Sequence, residues 1–326
     1  MRKRLLSGIQ PTGKMHLGNY FGAVQAWVTQ QDHFDCYFMI ADYHALTSLY
    51  GHSETLSQAK LDLVLDLLAL GISPEKCTLF YQSAVPEHTE LHLLLSMITP
   101  LPWLYRIPSY KSKMDEIQDK DLDTYGFLGY PVLQSADILI YQADVVPVGK
   151  DQLPHLELTR EIARRFNHLY TPTLKEPQDM LTAFPTLVGL DGRKMSKSYG
   201  NTIPISGTED DTKALVMKMF TDPTRLRRND PGHPENCPVF SYHKIFNTPS
   251  RLTEIEANCK DASLGCVDCK KECGALVATH LAPIRDTRQR LAMDMDYLSD
   301  VLSTGAKKAK AVASQTLLAV KDTIGL

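Results

Sequence analysis

Short apolar runs of strand length alternate with longer segments of helical periodicity through the first half of the chain. No other feature constrains the fold as strongly. Lys3–Gly8, Cys36–Ala41 and Cys77–Tyr81 read as strands, and Asp144–Val148 as a Val-rich fourth. Between them Asn19–Gln31, Glu54–Leu70 and Phe127–Gln142 carry helix-spaced apolar residues, and Glu157–Phe166 reads as a charged amphipathic helix. This rhythm predicts an α/β fold, a Rossmann-like parallel sheet with helices on both faces and a ligand at the carboxyl ends of the strands. The stretch from about 87 to 126, with Pro100, Pro102, Pro108 and a charged segment, reads as an insertion between two halves of the sheet. After Ser198 the pattern changes. Thr221–Pro238 reads as a loop, and Ser250–Ala257, Gly274–Leu281, Pro283–Leu302 and Ala306–Val320 as helices. The expected division is a Rossmann-like domain over 1–198 and a smaller all-helical domain over 199–326, its last helix packing back on the first.

Length and composition fit a two-domain globular protein: 326 residues, 43% hydrophobic and 22% charged. The basic Met1–Arg4 is followed by only two leucines before Ser7 and Gly8, too few for a signal sequence. The most apolar later stretch, Leu61–Ile72, is broken by Asp62 and Asp66, so no membrane span is expected and the protein reads as cytoplasmic. A net charge of −3 neither names nor excludes a nucleic-acid partner, because only the contact surface must be basic.

Two motifs carry chemistry. Gly8-Ile9-Gln10-Pro11-Thr12-Gly13 and His16-Leu17-Gly18-Asn19-Tyr20 fall between the first strand and first helix. Glycines there let backbone approach a phosphate, and the helix N-terminus favours an anion. His16 is placed to donate to phosphate oxygens. The second motif, Lys194-Met195-Ser196-Lys197-Ser198, sets two lysines three apart beside Gly200, a loop suited to polyphosphate. Either motif alone reads equally as a structural turn or a solvated basic loop; together they point to nucleotide chemistry. Tyr130, Gln134 and Asp137 share one helix face, and a carboxylate beneath an apolar slot suits a donor-only group such as an indole N–H.

With these residues the chain resembles the tryptophanyl-type class I aminoacyl-tRNA synthetases. His16–Asn19 occupies the HIGH signature and Lys194–Ser198 matches KMSKS without departure. Ser135–Tyr141, Val148–Gln152 and His155–Arg160 extend the resemblance over nearly the whole chain. The resemblance implies tryptophan activation by ATP and Mg²⁺, transfer to tRNA, a homodimer, and no DNA or membrane partner. It implies that Gln10, Pro11, Thr12, Gly18, Asn19, Gly149, Lys150, Asp151, Leu187 and Lys194–Ser198 hold ATP. His16, Lys194, Lys197 and Lys113 would act on its phosphates, with Lys111 a rival to Lys113. Tyr130, Gln134, Asp137 and Gln152 would hold tryptophan. Arg225, Arg227, Arg228 and Lys307–Lys310 are candidate tRNA phosphate contacts. A tyrosyl enzyme and a non-catalytic RNA- or protein-binding paralogue are the alternatives.

Five of the seven cysteines lie between Cys237 and Cys273. Cys237, Cys259, Cys266 and Cys269, the last two a CxxC, form a thiolate set that serves zinc or an iron–sulfur cluster. Free thiols are the third reading. The resemblance favours a [4Fe–4S] cluster, which some members carry and others lack. Cys36 and Cys77 read as buried strand residues.

Overall fold

The computed structural model describes residues 2–51, 53–108, 124–181 and 187–326. Lys111 and Lys113 lie outside the described residues, as does most of the second half of the expected insertion. Strands β1 (Arg4–Ile9), β2 (Asp35–Ile40), β3 (Cys77–Tyr81), β4 (Val145–Val148) and β5 (Gln178–Leu181) form one sheet in the order β3-β2-β1-β4-β5, every pair parallel. The order reverses between β1 and β4, which opens a crevice at their carboxyl ends.

The expected strands stand within a residue or so of their predicted limits. The pattern does not announce β5, whose four residues are mostly exposed and carry too few apolar side chains to stand out. Both faces of the inner strands are buried, as near-continuous apolar runs require. Leu5, Phe38, Ile40 and Leu79 join one core with Val64, Leu67 and Trp27, whose ring stacks on Phe38 at 4.8 Å. Leu6, Tyr37, Met39, Phe80 and Val146 join the other with Ile138, Leu139 and Leu156. Cys36 and Cys77 are buried register partners, and burial pushes both thiols up to about 12.

Several helices differ from the sequence reading for identifiable reasons. The segment expected as one helix over Asn19–Gln31 is a short helix at Leu17–Asn19, a π-helical turn at Tyr20–Val24 and a helix at Gln25–Gln30. Helices at Asp42–Leu49, Glu87–Ser96, Glu209–Met217 and Pro238–Phe246 were too short or too polar for periodicity to reveal. Local signs were nonetheless present: a capping box between Thr208 and Asp211, a proline opening Pro238–Phe246 and acidic residues in the first turn of Glu87–Ser96. The break expected at Pro283 does not occur. A single helix runs through it from Cys266 to Ala292, held by buried Cys273, Val277, Ala278 and Leu281 against the Glu209–Met217 helix.

The expected Pro283–Leu302 helix is instead divided at Met293–Asp294, and its last part continues through the expected Ala306–Val320 as one helix, Met295–Ile324. This helix lies along β3, the sheet's edge strand, and crosses from one core to the other. Leu298 and Val301 enter the first core, whereas Ala309, Ala313, Leu317 and Val320 enter the second. Gly305 sits at the crossing, where a Cβ would overlap the Leu79 carbonyl. Helical propensity alone would make Gly305→Ala stabilising by about 1 kcal/mol. Overpacking against backbone should reverse the sign and cost a net ~2 kcal/mol, read as a lowered midpoint in chemical denaturation. An unchanged or raised midpoint would show that the helix does not seat there.

Candidate active site

The crevice at the β1/β4 switch point is a cavity of about 500 Å³. Ile9 and Gln10 reach it from the end of β1, and Val148, Gly149, Asp151 and Gln152 from the end of β4. Tyr130, Gln134 and Asp137 line it from the Tyr125–Leu139 helix, so the predicted shared face points inward. Gly22 and Ala23 of the π-helical turn, Asn19 and Trp27 close another side. Its volume suits a small aromatic ligand together with part of a nucleotide.

Asp137 is the charged group in the floor, 1% exposed. Its Oδ1 accepts hydrogen bonds from Gln82 Nε2 at 2.8 Å and His88 Nδ1 at 2.7 Å. Its Oδ2 accepts from His44 Nε2 at 2.7 Å. Burial pushes this carboxyl upward, but the bonds and charges of His44 and then His88 outweigh it and hold the group well below the usual carboxylate range. His88 Nδ1 faces Asp137, and its Nε2 lies 2.7 Å from the Tyr141 hydroxyl. Gln82 is fixed in turn, its Oε1 accepting the Tyr43 backbone N–H at 3.1 Å. His44, Gln82 and His88 escape sequence reasoning. The available sign is position, since His44 and Gln82 follow directly on β2 and β3, at the ligand-binding ends.

The two signature segments meet in space. Lys197 Nζ donates to the Gly13 carbonyl at 3.0 Å, and the Gly18 N–H points at Met195 Sδ at 3.3 Å. Gly13 has φ +89°, a conformation that favours glycine. His16 caps the Leu17–Asn19 turn: Nδ1 accepts the Asn19 backbone N–H at 3.2 Å, so the proton of the neutral ring sits on Nε2. Burial, and then the Lys197 charge, lowers His16 to about 4. It is therefore a neutral donor at physiological pH. Burial also lowers Lys197, a trend the Asp66 carboxylate opposes.

The Lys194–Ser198 loop is held from behind. Met195 N–H donates to the Leu187 carbonyl at 3.1 Å, and Ser196 N–H to Asn201 Oδ1 at 2.8 Å. Buried Asn201 also donates to Asp191 at 2.7 Å and to the Lys194 carbonyl at 3.2 Å, making it the organiser of this loop. Pro11, Thr12, His16, Gly18, Lys150, Leu187 and Lys194–Lys197 do not line the cavity itself; Lys150 and Lys194 are exposed. Gln152 Nε2 is engaged by Asp151 at 3.0 Å.

Cys237, Cys259, Cys266 and Cys269 line a second, small pocket with Arg225. Arg225 had read as a surface phosphate contact. Instead its Nη1 donates to the Leu264 carbonyl at 3.0 Å and lies 4.0 Å from Cys259 Sγ, and its Nη2 donates to the Arg228 carbonyl at 2.7 Å. Among the described residues no three His, Cys, Asp or Glu side chains form a group spaced to hold a single metal ion. Cys273 is buried beside Cys269 and Cys237 but does not line this pocket.

Residues 2–282 match the family of tRNA synthetases class I (W and Y). A tryptophan–tRNA ligase of Thermotoga maritima is 48% identical over 99% of both chains. That of Aquifex aeolicus is 41% identical, over 99% of this chain and 100% of its own. The Campylobacter jejuni tryptophanyl-tRNA synthetase solved with ADP and tryptophan superposes with a TM-score of 0.91 at 36% identity, covering 99% of this chain and 100% of that one.

The assignment of His16 makes a direct prediction. Its ring resonances should titrate near pH 4 by NMR, with the Nε2–H tautomer above that. Because the folded protein holds this group below its free value of 6.5, the unfolded chain binds more protons between the two values, and stability should rise with pH across that window. A midpoint above 6 would remove the cap.

Proposed function

The chain belongs to the class I tRNA synthetases that serve tryptophan and tyrosine, and from that premise we propose that it activates L-tryptophan with ATP and transfers it to tRNA(Trp). Tryptophan rather than tyrosine follows from the likeness to the tryptophan–tRNA ligases over the full chain, and the state of Asp137 fits that choice. Its Oδ1 is already occupied by two donors, and its Oδ2 by one. The acceptor capacity left on Oδ2 faces a cavity lined by Tyr130, Gln134 and Trp27. An indole N–H can only donate, so a carboxylate held ionised is the matching partner. A site built on such a bond discriminates against a ligand lacking the donor by roughly 10⁴-fold.

In the first step the tryptophan carboxylate attacks the α-phosphate of ATP, whose Mg²⁺ accompanies it as substrate, and pyrophosphate leaves. Gly149 and Asp151, at the end of β4, are suited to the ribose, and Gln10 and Asn19 to the phosphate side of the same cavity. His16 supplies a neutral Nε2–H donor, and Lys194 and Lys197 supply charge as pyrophosphate departs. Gln152 must leave Asp151 to meet the amino group of tryptophan. In the second step a hydroxyl of the terminal tRNA adenosine attacks the activated carbonyl, the acyl–phosphate bond breaks and AMP leaves. Positioning and charge stabilisation carry both steps.

Residues 199–326 are assigned to tRNA, with exposed Arg227, Arg228, Lys307, Lys308 and Lys310 as phosphate contacts. The apolar side chains of Leu93, Met97, Leu101, Tyr105 and Tyr125 are exposed, which supports a second copy of the chain covering that side in a homodimer. Among the described residues no helix is long and apolar enough to cross a membrane, and a cytoplasmic enzyme is the corresponding proposal.

The four cysteines would hold a [4Fe–4S] cluster. A single zinc ion needs its sulfurs about 3.8 Å apart, from Zn–S bonds of ~2.3 Å in a tetrahedron. These cysteines surround a common pocket without forming such a group. The buried Arg225 Nε, which has no partner, would find an acceptor there. The cluster would act structurally, stapling the loop that carries Cys237 to the start of the Cys266–Ala292 helix.

Two experiments test these readings. Amino-acid-dependent ATP–pyrophosphate exchange should run with tryptophan and fail with tyrosine, and Lys194→Ala should slow it by ~3 kcal/mol of transition-state stabilisation. Exchange with tyrosine, or with neither amino acid, would reject the assignment. Protein purified anaerobically should be brown with about four irons per chain, and Cys266→Ser should lose the colour while keeping most of its exchange activity. Stoichiometric zinc without iron, or neither metal, would reject the cluster.

A further inference from the structure

A buried ion pair outside the cavity wall links both signature loops to the long Cys266–Ala292 helix. Asp66, on the Leu56–Ala69 helix, is 1% exposed, and its Oδ1 accepts from Arg288 Nε at 2.7 Å. Arg288 belongs to the long helix, and its other arm pairs with Asp62, one turn before Asp66. One guanidinium thus spans two carboxylates at i and i+4. The two carboxylates are not equivalent. The Met15 backbone, between Gly13 and His16, lies close enough to Asp66 to favour its charged form. Lys197, itself bonded to the Gly13 carbonyl, feels the charge of Asp66. Asp62 is partly exposed and also pairs with Arg288.

A fully buried carboxylate is a poor device for docking alone, because its desolvation offsets most of what the pair gains. Burial pushes Asp66 up to about 6 even against the pull of Arg288. Without that cation the carboxylate would take up a proton. Its charge therefore depends on where the long helix holds Arg288.

We infer that Asp66 is a positioning residue: kept charged by Arg288, it orients Lys197 and the Met15 segment for the phosphates of ATP. The placement of the long helix, which carries Cys266 and Cys269, is thereby transmitted to the nucleotide site. The inference rests on the reading of Lys194–Ser198 as a phosphate-handling loop.

The test is steady-state ATP–pyrophosphate exchange, with tryptophan affinity measured separately by calorimetry, on the full chain. Asp66→Asn should lower the exchange kcat about tenfold while tryptophan Kd stays within about twofold. Arg288→Met should reproduce that loss, and the double variant should be no worse than either single one, as residues acting as a unit require. Asp66→Glu, which restores the charge, should recover most of the rate. Asp62→Asn should leave the rate near wild type. If Asp66→Asn exchanges at the wild-type rate, or Asp62→Asn loses as much, the pair only docks the helix and the inference is overturned. Should Arg288→Met fail to fold, Arg288→Lys serves instead: it keeps a cation beside Asp66 and must retain a rate within about threefold of wild type. Lys197→Ala separates the two levels. Normal exchange in that variant would remove the loop from phosphate chemistry. Slowed exchange there, with Asp66→Asn unaffected, would overturn this inference alone.

Discussion

Placing one ionised carboxylate in an apolar floor sets terms that the rest of the fold must meet. Asp137 is stable there only because three donors converge on it, and they come from the segment after β2, the end of β3 and the Glu87–Ser96 helix. Those donors coincide only if β2 and β3 pair in the observed register and the Tyr125–Leu139 helix lies across their ends. A one-residue slip of β3 would exchange Leu79 and Phe80 between cores and carry Gln82 away. Sheet register and ligand chemistry are thus enforced by the same side chains.

The nucleotide side obeys a different logic. Several of its residues are buried, but they are held by being latched to one another across the crevice. Lys197 with Gly13 and Met195 with Gly18 join segments far apart in sequence, while Asn201 and Leu187 brace the loop from behind. Such contacts are individually weak, and the Lys197 bond to Gly13 is exposed to water, so this latch can open more readily than the bonds around Asp137. Tight packing around Asp137 and looser latching of the two signature segments give the two sides of the crevice different characters.

Much of this was legible in the sequence. The apolar runs define four strands, the i, i+4, i+7 spacing places Tyr130, Gln134 and Asp137 on one wall, and the two signatures identify the loops that meet. What was not legible has physical causes. His44, Gln82 and His88 act only through Asp137, and no periodicity marks a residue whose role is to donate to another. β5 is too exposed to show a pattern. The Pro283 break was a fair reading of local propensity, overruled by packing around Val277 and Leu281. Arg225 looked like a solvated cation, yet tertiary folding turns it inward toward carbonyls and thiols.

The helix along β3 has a consequence for how the chain comes into being. β3 is an edge strand, rich in apolar residues and able to pair with any passing strand. The element that shields it, Met295–Ile324, is made by the ribosome only after every other part of the sheet. Until then the nascent protein carries an open, adhesive margin whose backbone groups await a partner. Newly made chains are therefore most prone to aggregate in the interval before that helix emerges, and any translational pause there lengthens their need for a chaperone.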